Sequence, residues 1–474
     1  MGTAVRLALA AGVALLAQPA FALGPDEALP ELRGADLPLL WAAPFAGLLL
    51  SIALVPLISA GFWHRHYGKV AAAWALAFLV PFTLRFGAIE TAQHLAHAVL
   101  LEYLPFVVIL SSLFTIAGGI CVRGTLVGTP ALNTGLLALG AALASVMGTT
   151  GASMLLIRPV LTANEMRRHR VHVVIFFILL VGNVGGALSP LGDPPLFIGF
   201  LKGVDFFWPT RELARPTALV VGGLLAIFWT VDRWLHRTDP ARIPPGAARG
   251  PIAVEGKVNF ILLAGVIGAV LLSGLWDSGV VFDVLGAHLE LQNLVRDGLL
   301  VTLALLSLAL TPRAVREHNQ FHWAPIIEVA KVFAVIFVTI IPVIAILAAG
   351  RAGALAGVIE LVVDPSGQPR NVMVFWTTGL LSAFLDNAPT YLVFFNLAGG
   401  NPAMLMGPLR DTLLAMSMGA VYFGALTYIG NAPNFMIKAI AEDRGVAMPS
   451  FLVYAAIAGV VLLPLMAAVS VLHL

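Results

Sequence analysis

Six stretches of this chain run apolar almost without interruption: 37–59, 218–234, 260–275, 299–310, 332–349 and 451–472. Runs of about 20 apolar residues span the hydrocarbon of a bilayer as helices. Strands of an outer-membrane barrel would instead alternate apolar and polar residues over about ten positions. Inside lipid every backbone polar group must be bonded within the protein, so helices are the fit for these runs. Composition closes the soluble route: 11% of the 474 residues are charged and 59% hydrophobic, against about 25% and 45–50% in ordinary globular domains. Too few charges remain to cover a soluble surface or to hold a chain disordered. A net charge of +2 gives no case for nucleic acid, and a lone cysteine, Cys121, excludes an intrachain disulfide and a thiolate metal cluster. The expectation is an all-α, polytopic membrane protein with about 10 crossings (about 11 if the N-terminal segment is retained) and two re-entrant hairpins.

Residues 1–22 read as a signal peptide, with Arg6 as the positive start, 7–16 as the apolar stretch and Ala20-Phe21-Ala22 as a small-x-small cleavage site. An uncleaved first helix is the alternative. Placing 24–36 on the periplasmic side of a bacterial inner membrane orders the rest by length and flanking charge. Helix 38–59 goes in and turns at the basic stretch 64–69. Segment 70–87 returns, 88–102 lies along the outer face, and 104–122 goes in. Segments 127–147 and 152–164 have basic residues at both outer ends, so they form a hairpin opening inward. Helix 171–202 crosses out with an interruption at 185–195, and 216–234 returns to a cytoplasmic linker at 235–257. Helices 258–275, 296–311 and 325–349 follow. Segments 371–385 and 388–398 form a second hairpin opening outward. Helix 409–442 crosses inward with an interruption at 427–433, and 450–472 ends outside. This leaves 15 Lys and Arg on the cytoplasmic side and 9 on the periplasmic side, a bias in the direction that topology obeys.

The two interruptions resemble each other. Residues 186–196 read Gly-Ala-Leu-Ser-Pro-Leu-Gly-Asp-Pro-Pro-Leu and 424–434 read Gly-Ala-Leu-Thr-Tyr-Ile-Gly-Asn-Ala-Pro-Asn; five of eleven positions match, at an offset of 238. The hairpin tips recur at nearly the same spacing, 236 from Ala152 to Ala388. Because the hairpins open to opposite sides, the repeats are inverted. Paired Gly/Pro-interrupted segments at corresponding positions point to a transporter's binding site. A broken helix exposes carbonyls on one side of the break and N–H groups on the other, and such backbone survives in a membrane only against protein or a wet cavity. Gly192 and Gly430 permit tight bends, while Pro194, Pro195 and Pro433 suit the first turn of a restarting helix.

Asp193 falls in the first break and Asp386 at the second tip. An acid within the membrane is costly and marks function by default. Burial disfavours a carboxylate and a nearby cation favours it, so such a group can trade a proton for a metal ion. The plainer reading is that each Asp caps a half-helix N-terminus. Asn183, Asn387, Asn431, Ser189 and Thr427 are candidate oxygen ligands for a hard cation such as Na⁺, or polar helix–helix contacts. Thr149 and Thr150 rank below them, since hydroxyls bond back to their own helix. Glu328 and Lys331 read as an i,i+3 ion pair, and Arg158 as a snorkelling side chain. Glu90, His94, His97 and Glu102 mark a wetted interfacial helix, with a pH-sensing or metal patch as the sharper alternative.

At these residues the chain resembles a known family. His97-Ala-Val-Leu-Leu-Glu-Tyr-Leu-Pro-Phe, Gly185-Gly-Ala-Leu-Ser-Pro-Leu-Gly-Asp-Pro-Pro and Phe384-Leu-Asp-Asn-Ala-Pro-Thr look like NhaD-type sodium/proton antiporters. These belong to the ion transporter superfamily, with citrate, dicarboxylate and arsenite carriers. The resemblance runs from about residue 38 to the end. It implies scaffold helices at 38–126 and 258–350, transport halves at 127–234 and 371–474, an elevator-like motion and a homodimer. It implies a cation site on Thr149, Thr150, Ser189, Asp193, Asp386, Asn387, Thr390, Thr427 and Asn431, with Na⁺ held by Asp193, Asp386, Asn387 and Asn431, and no cofactor beyond the transported Na⁺ and H⁺. The first tip, Gly-Thr-Thr-Gly, departs from the Ser-Asn-Thr tips of dicarboxylate carriers and puts anion transport in doubt. The expected activity is exchange of Na⁺, or Li⁺, for H⁺. The alternatives are coupled citrate or dicarboxylate transport and, more remotely, an intramembrane aspartyl protease, which would need two acids sharing a proton.

Overall fold

A computed structural model describes residues 32–124, 126–239, 253–365 and 367–474. The signal-peptide segment and the middle of the 235–257 linker lie outside the described residues. Among the described residues, nine helices are long and apolar enough to cross a membrane, or ten if one bent pair counts as a single span. Two small antiparallel pairs, β1 (Cys121–Arg123) with β2 (Ala253–Glu255) and β3 (Val281–Val284) with β4 (Ala287–Glu290), are the only sheets there. The chain is an all-α polytopic membrane protein.

The first two helices are α1 (Ala43–Ile58) and α2 (Ala60–Phe86), and they meet at Ser59. The turn is therefore at Ser59 and not at 64–69. Ser is a preferred N-cap, and its Oγ accepts the Phe62 N–H, whereas His64-Arg65-His66-Tyr67-Gly68-Lys69 holds nothing stronger than one tolerated glycine. Glu328 and Lys331 do not form the expected ion pair. Glu328 accepts from Trp63 Nε1 at 2.9 Å, and Lys331 Nζ sits 5.4 Å over the Tyr67 ring, so both are taken up by α2.

The stretch 88–102 is not a separate surface helix. Helix α3 (Ala88–His97), a π-helical turn at Ala98–Tyr103 and α4 (Leu104–Ala117) run on as one 30-residue apolar span. Pro105 follows the π-helical turn without ending the span, and Glu102 is buried against Lys202, 2.5 Å away.

Then come α5 (Pro130–Met147) and α6 (Thr149–Ala163), hinged at the single residue Gly148. The first broken helix is α7 (Val171–Leu180) with α8 (Pro194–Leu201), followed by α9 (Trp208–Thr238). Helices α10 (Val258–Leu275), α11 (Leu291–Leu310), α12 (Ala324–Thr339) and α13 (Ile341–Ala348) follow, the last two bent by 41° at a break. The second hairpin is α14 (Asn371–Leu385) with α15 (Asn387–Leu397), and the second broken helix is α16 (Arg410–Phe423) with α17 (Ala432–Asp443). Helix α18 (Phe451–His473) closes the chain.

The interrupted helices occupy the centre. Residues 173–180 of α7 and 412–423 of α16 are all buried. A helix apolar on every side must be sheathed on every side, and the hairpins together with α9 and α18 supply that sheath.

Candidate functional site

The repeat seen in the sequence holds in three dimensions at a constant offset of 238. Gly148 and Asp386 are the hinges, with φ/ψ of 81°/149° and 75°/144°. The spacing of 236 from Ala152 to Ala388 is thus out of register, because Ala152 already lies inside α6 whereas the hinge precedes it. Ser189 Oγ donates to the Ser145 carbonyl and Thr427 Oγ1 to the Ala383 carbonyl, which staples each break to the first arm of its hairpin. The same two hydroxyls accept from Leu191 N at 3.1 Å and Ile429 N at 3.2 Å. A Cβ on Gly192 would lie 2.0 Å from the Gly186 carbonyl oxygen, and one on Gly430 2.6 Å from that of Gly424. Glycine is required at both bends. Pro194 and Pro195 open α8 and Pro433 opens α17, where the missing N–H would have no helical partner.

Four helices begin at this place: α6 at Thr149, α8 at Pro194, α15 at Asn387 and α17 at Ala432. Asp193 lies among their ends, 1% exposed. Its Oδ1 accepts from Thr149 Oγ1 at 3.2 Å and Asn431 Nδ2 at 2.9 Å, and its Oδ2 from Asn387 Nδ2 at 2.5 Å. The capping reading separates the two acids. Asp193 stands at the N-cap of α8 but makes no side-chain cap bond, while Asp386 accepts from Ala388 N at 3.3 Å and caps α15.

Asp193, Asp386, Asn431, Thr149 and Thr150 line a cavity of about 90 Å³, closed on its far side by Phe106 and Phe114 of α4 and Ile326 and Phe333 of α12. No Lys or Arg is among the described residues that line it. Asn387 reaches Asp193 from behind this wall, and its Oδ1 is buried without a hydrogen-bond partner among the described residues. Thr390 bonds back to the Asp386 carbonyl at 2.8 Å.

Asn183 is buried away from Asp193, donating to Asn434 Oδ1 at 2.7 Å. Asn434 and Ser145 were not singled out from sequence. Asn434 donates to the Gly424 and Thr427 carbonyls at 2.7 and 2.8 Å, and Ser145 Oγ to the Gly185 carbonyl at 2.5 Å. Asn434 ends the repeated stretch, opposite Leu196, and that mismatch was its one signal.

Many spanning helices, with two interrupted segments meeting at a buried acid, are what a secondary transporter of the membrane requires. The family whose model is described as "Putative citrate transport" matches residues 34–474, and the chain belongs to that family. No curated protein matches it significantly. Family and helical fold together point to transport and not to enzymatic chemistry.

Proposed function

We propose that the chain exchanges Na⁺, or Li⁺ in its place, for H⁺ across a bacterial inner membrane, with Asp193 carrying either ion in turn. The setting of Asp193 supports this most: a buried acid, ringed by a hydroxyl and two amides from three elements, on a cavity with no cation in its wall. Ionised, its oxygens suit a hard cation, with the idle Asn387 Oδ1 nearby. Protonated, it needs an acceptor where it had a donor, and an amide turned end for end supplies one. Asn387 and Asn431 can therefore face both states. Asp386, on the same wall, adds a second negative charge near the bound ion.

In this reading the helix ends around Asp193 move as a unit against α4 and α12, where Phe106 and Phe333 stack with centroids 4.7 Å apart. The motion is elevator-like: both hairpins and both broken helices, drawn from the chain's two inverted halves, move against the scaffold helices of a protomer whose N-terminus is periplasmic, in a homodimer. The resemblance of its motifs to those of NhaD-type antiporters supports the same reading.

The family description favours a second reading, coupled uptake of citrate or a dicarboxylate. Helix N-termini that meet at one point attract a carboxylate. Here Asp193 already sits at that point, and a tricarboxylate would have to enter about 90 Å³ beside two acids. Everted vesicles carrying a pH gradient decide between the two. Na⁺ or Li⁺ is expected to collapse the gradient, with K⁺ and citrate inert. Na⁺-dependent accumulation of labelled citrate, with no cation-driven pH change, would replace the first reading by the second.

A further inference from the structure

A second cavity, of about 460 Å³, opens among helix ends: the end of α8, the start of the segment before α9, the end of α10 and the start of α11. It is far too large for a bare ion and lies in the range of organic ligands. One part of its wall is apolar, with Leu104, Leu271 and Phe200. The other part is charged, with Lys202, Arg296, Glu290 and Asp297.

We propose that this cavity seats the headgroup of a zwitterionic phospholipid, the phosphate on Arg296 and Lys202 and the ammonium on Glu290. The proposal goes beyond the transport reading and does not depend on it. Arg296 is 2% exposed. Its Nε donates to Asp297 at 2.8 Å and its Nη1 to Asn293 at 3.0 Å, while Nη2 has no partner among the described residues. A buried guanidinium with an idle N–H edge calls for an oxygen anion, and phosphate matches its fork. Lys202 gives one bond to Glu102 at 2.5 Å, which leaves two of an ammonium's three donors.

The acids argue against a simple anion. Arg296 answers Asp297, and Arg211 answers Asp205 on the rim. Glu290 accepts only amide donors, from Gln292 at 3.0 Å and Asn293 at 2.9 Å, and no Lys, Arg or His pairs with it among the described residues. A ligand that carries both charges satisfies Arg296 and Glu290 together. The apolar wall suits acyl chains, and the ends of spanning helices lie at the level of the polar headgroup layer. Trp276 lies just past α10, as expected of an indole at a membrane–water boundary.

The test uses the purified full-length chain in detergent, read by thermal unfolding and by native mass spectrometry. The probes are short-chain phosphatidylethanolamine, short-chain phosphatidylglycerol and free phosphoethanolamine. Phosphatidylethanolamine is expected to raise Tm and to stay bound. Phosphatidylglycerol should bind about tenfold more weakly, the size of one charge-assisted contact, and free phosphoethanolamine should give no shift. Loss of buried Arg296 can unfold the chain, so the half-buried Lys202 carries the variant test. Lys202→Gln also strips buried Glu102 of its cation and should lower the lipid-free Tm. Its effect is therefore read as lipid retained in native mass spectrometry, where phosphatidylethanolamine should weaken about tenfold. Glu290→Gln should make the two lipids equal. Absence of any lipid shift, an unchanged preference in Glu290→Gln, or a free headgroup as effective as the lipid would each overturn the proposal.

Discussion

Gly148 and Asp386 hold nearly the same backbone conformation, and so do Asp193 and Asn431, at −143°/142° and −154°/140°. The chemistry on that shared backbone is exchanged. In the first repeat the hinge has no side chain and the break carries an acid; in the second the hinge carries the acid and the break an amide. Both amides that reach Asp193, from Asn387 and Asn431, come from the second repeat. The first repeat supplies the acid and one hydroxyl donor, Thr149, and the second both amide donors, so two similar halves build one site.

The largest effect should come from removing the one acid that the site surrounds. Asp193→Asn is expected to abolish Na⁺-driven pH change in everted vesicles. Each hydrogen bond to a charged group contributes about 1.5–3 kcal/mol, so a loss of more than about 100-fold follows, with the protein still inserted. Because the backbones match, the exchange Asp193→Asn with Asn431→Asp should return part of the activity. An exchanged protein that is folded, inserted and as dead as the single variant would break the equivalence of the two halves.

Asn387→Ala comes next. It takes the 2.5 Å donor from Asp193 Oδ2 and should lower activity by roughly 10–100-fold. Thr149→Val removes the 3.2 Å bond and should lower it less. An equal loss in both would mean that the second repeat has no special share in holding the acid.

The glycines sharpen the same comparison through stability. At 2.0 Å from a carbonyl oxygen, a methyl on Gly192 forces the backbone apart; at 2.6 Å, one on Gly430 intrudes less. Overpacking of this kind costs about 1–3 kcal/mol. Gly192→Ala should therefore lower the Tm of the purified protein more than Gly430→Ala. The reverse order would place the tighter bend in the second half.

Much of this architecture was legible in the chain. Run length gave the spans, and glycine with proline marked both breaks, because covalent geometry limits what those residues can do. Asp193 was legible for the same reason, since an acid within such a break has few other uses. What stayed hidden depends on partners distant in sequence. Ser59 turns the chain where a basic run seemed the better end, since single polar residues are a weak local signal. Glu328 and Lys331 answer Trp63 and Tyr67 on another helix, not each other. Ser145 and Asn434 act by bonding carbonyls that only the folded breaks expose.

The smallest effect concerns Asp386. A non-glycine residue at φ 75° is strained by about 1–3 kcal/mol, and the Asp386 cap on α15 returns about 1 kcal/mol. Asp386→Gly makes the second hinge the copy of the first. It relieves about 1–3 kcal/mol of strain and loses about 1 kcal/mol of cap, a net gain of about 0–2 kcal/mol from which the greater freedom of glycine in the unfolded chain takes back about 0.4–1 kcal/mol. Asp386→Ala keeps the strain and loses the cap, and should be the least stable of the three proteins. With stability held so nearly constant, the glycine variant isolates the charge. Weaker Na⁺ activation in vesicles, at a Tm close to that of wild type, assigns the second acid to the ion. Unchanged activation would leave Asp386 as a helix cap and confine ion exchange to Asp193.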